Sequence, residues 1–167
     1  MGHPVLFKRA DELKDHEFNS PELLQLIQDM QDTQRHHGGV GIAAPQIGVS
    51  KRILLIEFYQ KDITRYNGIE DCPLKVIINP EITSIGVEES VFNEGCLSVP
   101  GLRGEVSSPL AISYRYYDEF GSLHEGQDDG IFARVLQHEC DHLDGILYPM
   151  RMQDISKLAF IDAISGE

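Results

Sequence analysis

The residues with the most evident chemistry lie toward the carboxy-terminal end, where His138, Glu139, Cys140, Asp141 and His142 form an HExxH pattern. Side chains four residues apart share one face of a helix, so the two imidazoles are placed to hold a single divalent ion. Glu139 lies about 100° around the helix from His138, at roughly 3.6 residues per turn, so its carboxylate borders the same site. There it can take a proton from water activated by the ion. The plain alternative is a helix whose histidines pair with surface carboxylates. Ile131 and Val135 share the stripe, however, so two imidazoles would face a core in which a polar ring needs a partner. Metal binding is therefore the stronger reading.

Two histidines leave a catalytic site short of one protein ligand and of an open position for water. A metzincin-type peptidase would place a histidine at 148, but that residue is Tyr148. A thermolysin-like peptidase takes a carboxylate from a later helix, and Asp162 follows His142 in the right order, although aspartate is shorter than the glutamate usually employed. Cys96, in Glu94-Gly95-Cys96-Leu97-Ser98, offers a soft thiolate suited to iron or zinc. Its plain alternative is a small buried hydrophobe. The residues alone leave Cys96 and Asp162 both open.

The elements that must position these groups are readable in outline. Leu23, Leu24, Ile27 and Met30 recur at helical spacing over Ser20 to Arg35, with Ser20 as N-cap, Pro21 at the first helical position and Gly38-Gly39 as the stop. Strands are predicted at Ile53–Phe58, at Lys75–Pro80, near Val87 to Phe92 and at Ala111–Tyr117, the last before a Phe120-Gly121 turn. Tyr59 to Pro73 reads as a surface loop. A second helix runs from Gly130 to Leu143, apolar on more than one face and ended by Gly145, and Asp154 caps a short last helix carrying Ile155, Leu158, Ala159 and Ile161. This pattern argues for an α+β fold: antiparallel or mixed β-sheets packed around a buried central helix that carries HExxH.

With 167 residues, 41% of them hydrophobic, the chain is expected to form a single domain over 1–167. The formal charge of −13 argues against direct nucleic-acid binding, which needs clustered Lys and Arg. Three cysteines, Cys72, Cys96 and Cys140, do not make a disulfide framework and fit a reducing compartment, so a cytoplasmic location is expected. No apolar run approaches the roughly 20 residues a membrane helix needs, and Met1-Gly2-His3-Pro4 does not read as a signal peptide.

Three segments, Gly39-Val40-Gly41-Ile42-Ala43-Ala44-Pro45-Gln46, Glu94-Gly95-Cys96-Leu97-Ser98 and Gln137-His138-Glu139-Cys140-Asp141-His142-Leu143, together resemble peptide deformylase of bacterial type. They stand in that family's order, and Gly2-His3-Pro4-Val5-Leu6 is similar to its amino-terminal stretch. The resemblance implies Cys96, His138 and His142 as metal ligands in preference to Asp162, with Glu139 as general acid/base. It further implies that Gln46 and the backbone N–H of Leu97 hold the reacting carbonyl oxygen. One divalent ion per chain is implied, natively Fe2+, with Zn2+, Ni2+ or Co2+ able to occupy the same site. The implied reaction is attack of metal-bound hydroxide on the formyl carbon of N-formylmethionyl nascent peptides, releasing formate.

Transient proximity to the ribosome is part of that expectation. The long basic carboxy-terminal helix of some relatives has no counterpart after Tyr148, so docking by that route is not expected. Gly41 is the better candidate for pairing with an extended peptide, since Gly38 and Gly39 equally serve to end the helix. Ile42, Val135 and Leu136 are available for an apolar methionine pocket. Arg103 resembles a family position that contacts the substrate backbone, or is simply a surface arginine. Cys140, roughly 200° from His138, points into packing; Cys72 has no evident task. The rivals are a zinc endopeptidase using Asp162, which a peptide digestion assay separates, and a noncatalytic binding module, which a formate-release assay separates.

Overall fold

Alternating side chains along the strand Ile53–Phe58 divide the interior in two. Leu54, Ile56 and Phe58 join one buried cluster, whereas Ile53 and Leu55 join another, because neighbouring residues of a strand face opposite sides of a sheet. A strand buried on both faces needs a layer on each, and two helices supply them.

The computed structural model describes residues 1–62 and 70–165. Its strands are β1 (Gly41–Ala43), β2 (Ile53–Phe58), β3 (Cys72–Cys96), β4 (Val99–Tyr117), β5 (Leu123–Asp128) and β6 (Ala159–Phe160). Its α-helices are α1 (Pro21–His36), α2 (Ile131–Leu143) and α3 (Ile161–Ser165). The six strands form one antiparallel sheet in the order β1-β2-β3-β4-β5, with β6 added beside β4. The result is an α+β architecture. Leu23, Ile27 and Met30 of α1 cover one face with Ile42, Ile53 and Leu55. Ala133, Val135, Leu136, Cys140 and Leu143 of α2 cover the other with Ala43, Leu54 and Ile56.

Both main helices form where the pattern places them, for local reasons. Ser20 Oγ accepts the Leu23 N–H at 3.1 Å and Pro21 opens α1. At α2 the capping oxygen belongs to Asp128, which accepts the N–H groups of Gly130 and Ala133, each at 2.9 Å. Gly145 ends α2 with φ +75°, and a Cβ there would lie 2.7 Å from the backbone of Phe7, so only glycine fits. Arg52, buried on the strand side, donates to Leu143 O at 3.2 Å and to Asp144 Oδ1 at 2.7 Å, fastening the end of α2 to β2.

The strands differ from expectation in length. Lys75–Pro80 and Val87–Phe92 belong to a single β3, which bends through register shifts near Asn79 and Gly86 instead of breaking. Val99–Tyr117 is likewise one strand, paired with β3 as a long hairpin whose tip is Leu97-Ser98. The short helix expected after Asp154 is split into a 3-10 turn at Ile155–Lys157, then β6, then α3. Asp154 does cap that turn, accepting Ser156 N at 2.9 Å, but edge pairing with Leu102 and Arg103 draws Ala159–Phe160 into the sheet. Of the loop expected at Tyr59 to Pro73, residues 63–69 lie outside the described residues, and Cys72 already belongs to β3.

Glu57 locks α1 to β2: Arg35 donates to its carboxylate at 2.9 and 3.0 Å, and Tyr59 at 3.2 Å. The Arg35 hydrogen bonds, working against burial, hold this carboxyl below the usual carboxylate range. Because the folded pKa is the lower one, the stabilisation is present above the unfolded value and is lost as pH falls through the folded value. Arg35 is largely exposed, and solvent screening keeps the contribution of the pair small. Glu57→Gln is therefore expected to lower the melting temperature by a few degrees at pH 7. Thermal melts should show the gap closing in acid; an equal gap at every pH would contradict this origin.

Candidate active site and metal centre

Three potential ligands from two distant parts of the chain meet where the tip of the β3–β4 hairpin folds over α2. Cys96 is the last residue of β3 and pairs with Val99, so Leu97 and Ser98 make a two-residue turn beside it. His138 and His142 lie one turn apart on α2, with ring centroids 5.1 Å apart. One ligand atom from each of Cys96, His138 and His142 falls within 4.8 Å of the others, and Cys96 Sγ is 3.1 Å from His142 Nε2. Asp162 is exposed on α3 and is not part of this cluster.

Each ring is held differently. His138 Nδ1 lies 2.6 Å from Glu94 Oε2, which leaves Nε2 for the cluster. Its ring also stacks near Tyr148, at 6.4 Å between centroids. Burial works against the His138 imidazolium, yet the hydrogen bonds to Cys96 and Glu94 prevail and raise its pKa well above the ordinary histidine value. His142 is fully buried; burial first, and the charge of His138 second, push its pKa down to about 3. His142 is thus a neutral imidazole at neutral pH, the form that binds metal.

Glu139 is 4% exposed and packs against the backbone of β1. A Cβ on Gly41 would lie 2.6 Å from its Oε1 and 2.9 Å from its Cδ, so the absence of a side chain at 41 is what admits this carboxylate. Burial raises its pKa to about 7, with His138 opposing and Glu94 adding to the shift. Its Oε2 is buried with no hydrogen-bond partner among the described residues. Gly41→Ala is expected to push the carboxylate aside and reduce kcat about 10- to 100-fold, the scale of an ångström-sized misplacement. Steady-state kinetics with a melt to confirm folding would check this; an unchanged kcat would contradict it.

Gln46 sits in the 3-10 turn Ala44–Ile47 after β1. Its Oε1 accepts the Ala43 N–H at 2.7 Å, which turns the Nε2 donor toward the hairpin tip, 3.2 Å from Ser98 Oγ and 3.6 Å from Cys96 Sγ. The Ser98 N–H also approaches Cys96 Sγ, at 3.3 Å. The donor set fits a divalent ion: one thiolate and two imidazoles within reach of one centre, with an unpartnered carboxylate oxygen nearby.

The family model for polypeptide deformylase matches residues 1–158. The chain belongs to the peptide deformylase family. Among curated relatives, peptide deformylase 2 of Pseudomonas putida is 44% identical over 98% of this chain and 91% of the relative. The peptide deformylase of Leptospira biflexa is 40% identical over the same shares. Of solved structures, a class I type b peptide deformylase from Acinetobacter baumannii with Met-Ala-Ser bound superposes with TM-score 0.85 at 37% identity, covering 91% of this chain and 94% of that one. A Synechococcus elongatus peptide deformylase in complex with actinonin gives TM-score 0.80 at 33% identity, covering 93% and 78%. Peptide deformylases are hydrolases, and this chain is an enzyme of that family.

The remaining candidate residues are spread more widely. Gly41 borders Glu139, and Leu97 lies at the hairpin tip with its side chain over Gly39, where a Cβ would come within 3.0 Å of it. Ile42 points away from the site into the α1 cluster, because it follows Gly41 on a strand. Val135 and Leu136 are buried in the cluster beneath α2. Arg103 lies across Gly95, and its guanidinium donates to Asn93 O at 3.3 Å. Cys140 is buried in the core, and burial raises its thiol pKa far above the ordinary value. Sequence reasoning passed over Glu94 and Arg134. The available signal was an arginine four residues before His138 on a stripe otherwise expected to be buried.

Proposed function

We propose that this enzyme removes the formyl group from N-formylmethionyl nascent polypeptides, releasing formate, with one divalent ion held by Cys96, His138 and His142. The observation that carries the reading is the approach of Cys96 Sγ, from a hairpin tip, to two imidazoles of one helix. Family membership supports the substrate, and the family's metal dependence supports the ion. We place the whole activity in a single catalytic domain, 1–167, with α2 as the central helix that presents the HExxH residues.

When bound, the ion supplies Lewis acidity, acidifying water and polarising the formyl oxygen. Glu139 accepts the proton of the attacking water at its unpartnered Oε2 and returns it to the departing amine, so a carboxyl with a pKa near neutrality suits both tasks. Gln46 Nε2 and the Leu97 N–H donate to the oxygen on which charge develops. Fixing the Gln46 amide through Ala43 lets it meet that charge without reorienting. Among the described residues β1 pairs in the sheet with β2 alone, so its outer edge at Gly41 can take an extended peptide as an added strand. A cavity of about 150 Å³ beside the first turns of α2, lined by Phe92, Leu110 and Ile131 with Arg134 and Gln137, offers room for an apolar side chain.

Fe2+ is the proposed native ion, with Zn2+, Ni2+ and Co2+ as substitutes. The proposed location is the cytoplasm, in transient proximity to the ribosome; among the described residues no helix is long and apolar enough to cross a membrane. The test is formate release from a formyl-Met peptide after loading with iron under argon, beside digestion of an unformylated peptide. Formate release without digestion is expected. Digestion without formate release would favour the endopeptidase instead.

A further inference from the structure

Arg134 is an expensive residue to bury, and its placement points beyond packing. It sits on α2, four residues before His138, only 7% exposed. Its Nη2 lies 2.5 Å from Glu94 Oε1 and 2.6 Å from Val106 O, its Nη1 3.3 Å from Ser90 O, and its guanidinium lies over the Phe92 ring at 4.9 Å. The other oxygen of Glu94 is the one that meets His138 Nδ1, at 2.6 Å. One carboxylate is thus gripped at both ends, by a buried cation and by a proposed metal ligand.

A buried ion pair is weak evidence for stability, since apolar residues of similar volume do as well or better there. What an apolar side chain at 134 could not do is fix Glu94. Unpinned, that carboxylate could turn toward water at the hairpin edge and release the His138 ring. Held by a fork that also grips two β-strand carbonyls, it keeps one orientation, and the ring keeps Nε2 toward Cys96 and His142. We infer that Arg134 is a positioning residue for the metal centre, acting through Glu94 to orient His138. The inference rests on the metal reading proposed above.

Titration of the chelator-stripped enzyme with cobalt(II), followed by the thiolate-to-cobalt absorption band, tests it without recourse to activity. Arg134→Met is expected to weaken cobalt binding about 10- to 100-fold, the usual effect of losing an outer partner of a ligand histidine. Glu94→Gln should do the same, and the double variant should bind no more weakly than Glu94→Gln alone, because both act through one contact. Circular dichroism and a thermal melt establish that each variant folds. If Arg134→Met does not fold, Arg134→Lys is read in its place. A single ammonium cannot hold Glu94 and both carbonyls, so weakening of about threefold or more is expected. Wild-type affinity in the folded variant, or losses that simply add in the double variant, would overturn the inference. Absence of the thiolate band in the wild type would instead overturn the metal reading itself, which makes the two failures distinguishable.

Discussion

Glu139→Ala is expected to keep the metal ion and to lose turnover by about 10²-fold or more, the usual share of a positioned acid/base group. Nothing else described at the site is placed to replace it. The carboxylate is buried, and its Oε2 has no hydrogen-bond partner among the described residues. Burial has already brought its pKa to about 7. A group in that state can accept a proton from water and return it to an amine without a large penalty in either direction. Glu139→Gln, which preserves shape against Gly41, should be nearly as slow, separating lost proton transfer from lost packing. Metal content by atomic absorption and kcat on a formylated peptide check both halves. Full activity in Glu139→Ala would require a different base.

Cys96→Ser should lose the ion rather than the chemistry alone. A hydroxyl is a poor substitute for a thiolate toward zinc or ferrous iron. Affinity is expected to fall on the order of 10²-fold or more, beyond the 10- to 100-fold typical of an outer-shell partner. The fold should survive, because Cys96 lies at the end of a hairpin whose pairing does not depend on its side chain. Asp162→Ala is the matching control. Its carboxylate is exposed on α3 and lies apart from the cluster, so metal content and rate should both be unchanged. Loss of metal on removing Asp162, with retention on removing Cys96, would reverse the assignment of the third ligand.

The proposed site was legible in the sequence to the extent that it depends on helical spacing. His138, Glu139 and His142 follow from one helix, whose buried apolar face and terminating Gly145 are local signals. Cys96 is different: it stands 42 positions before His138, and only the resemblance of motifs joined them before the fold did. Chain spacing could not decide against Asp162, which the structure leaves on the surface.

Strand lengths were underestimated because Asn79, Pro80 and Gly86 are ordinarily breakers. In β3 they produce bends that the long antiparallel partner β4 tolerates. Ile42 and Val135, expected beside the substrate, are both buried, in the clusters that cover the two faces of the sheet. Glu94 and Arg134 went unnoticed because charged residues are expected at the surface, and only the fold reveals that Arg134 is buried against Glu94, whose other oxygen meets His138.

The claim on which the rest depends is that one sulfur and two imidazoles from this chain share a single ion. X-ray absorption at the metal edge of the zinc-loaded wild-type enzyme measures this directly. The account predicts one metal per chain with one sulfur and two imidazole nitrogens in the coordination shell. A shell of oxygen and nitrogen alone in the wild type would contradict it.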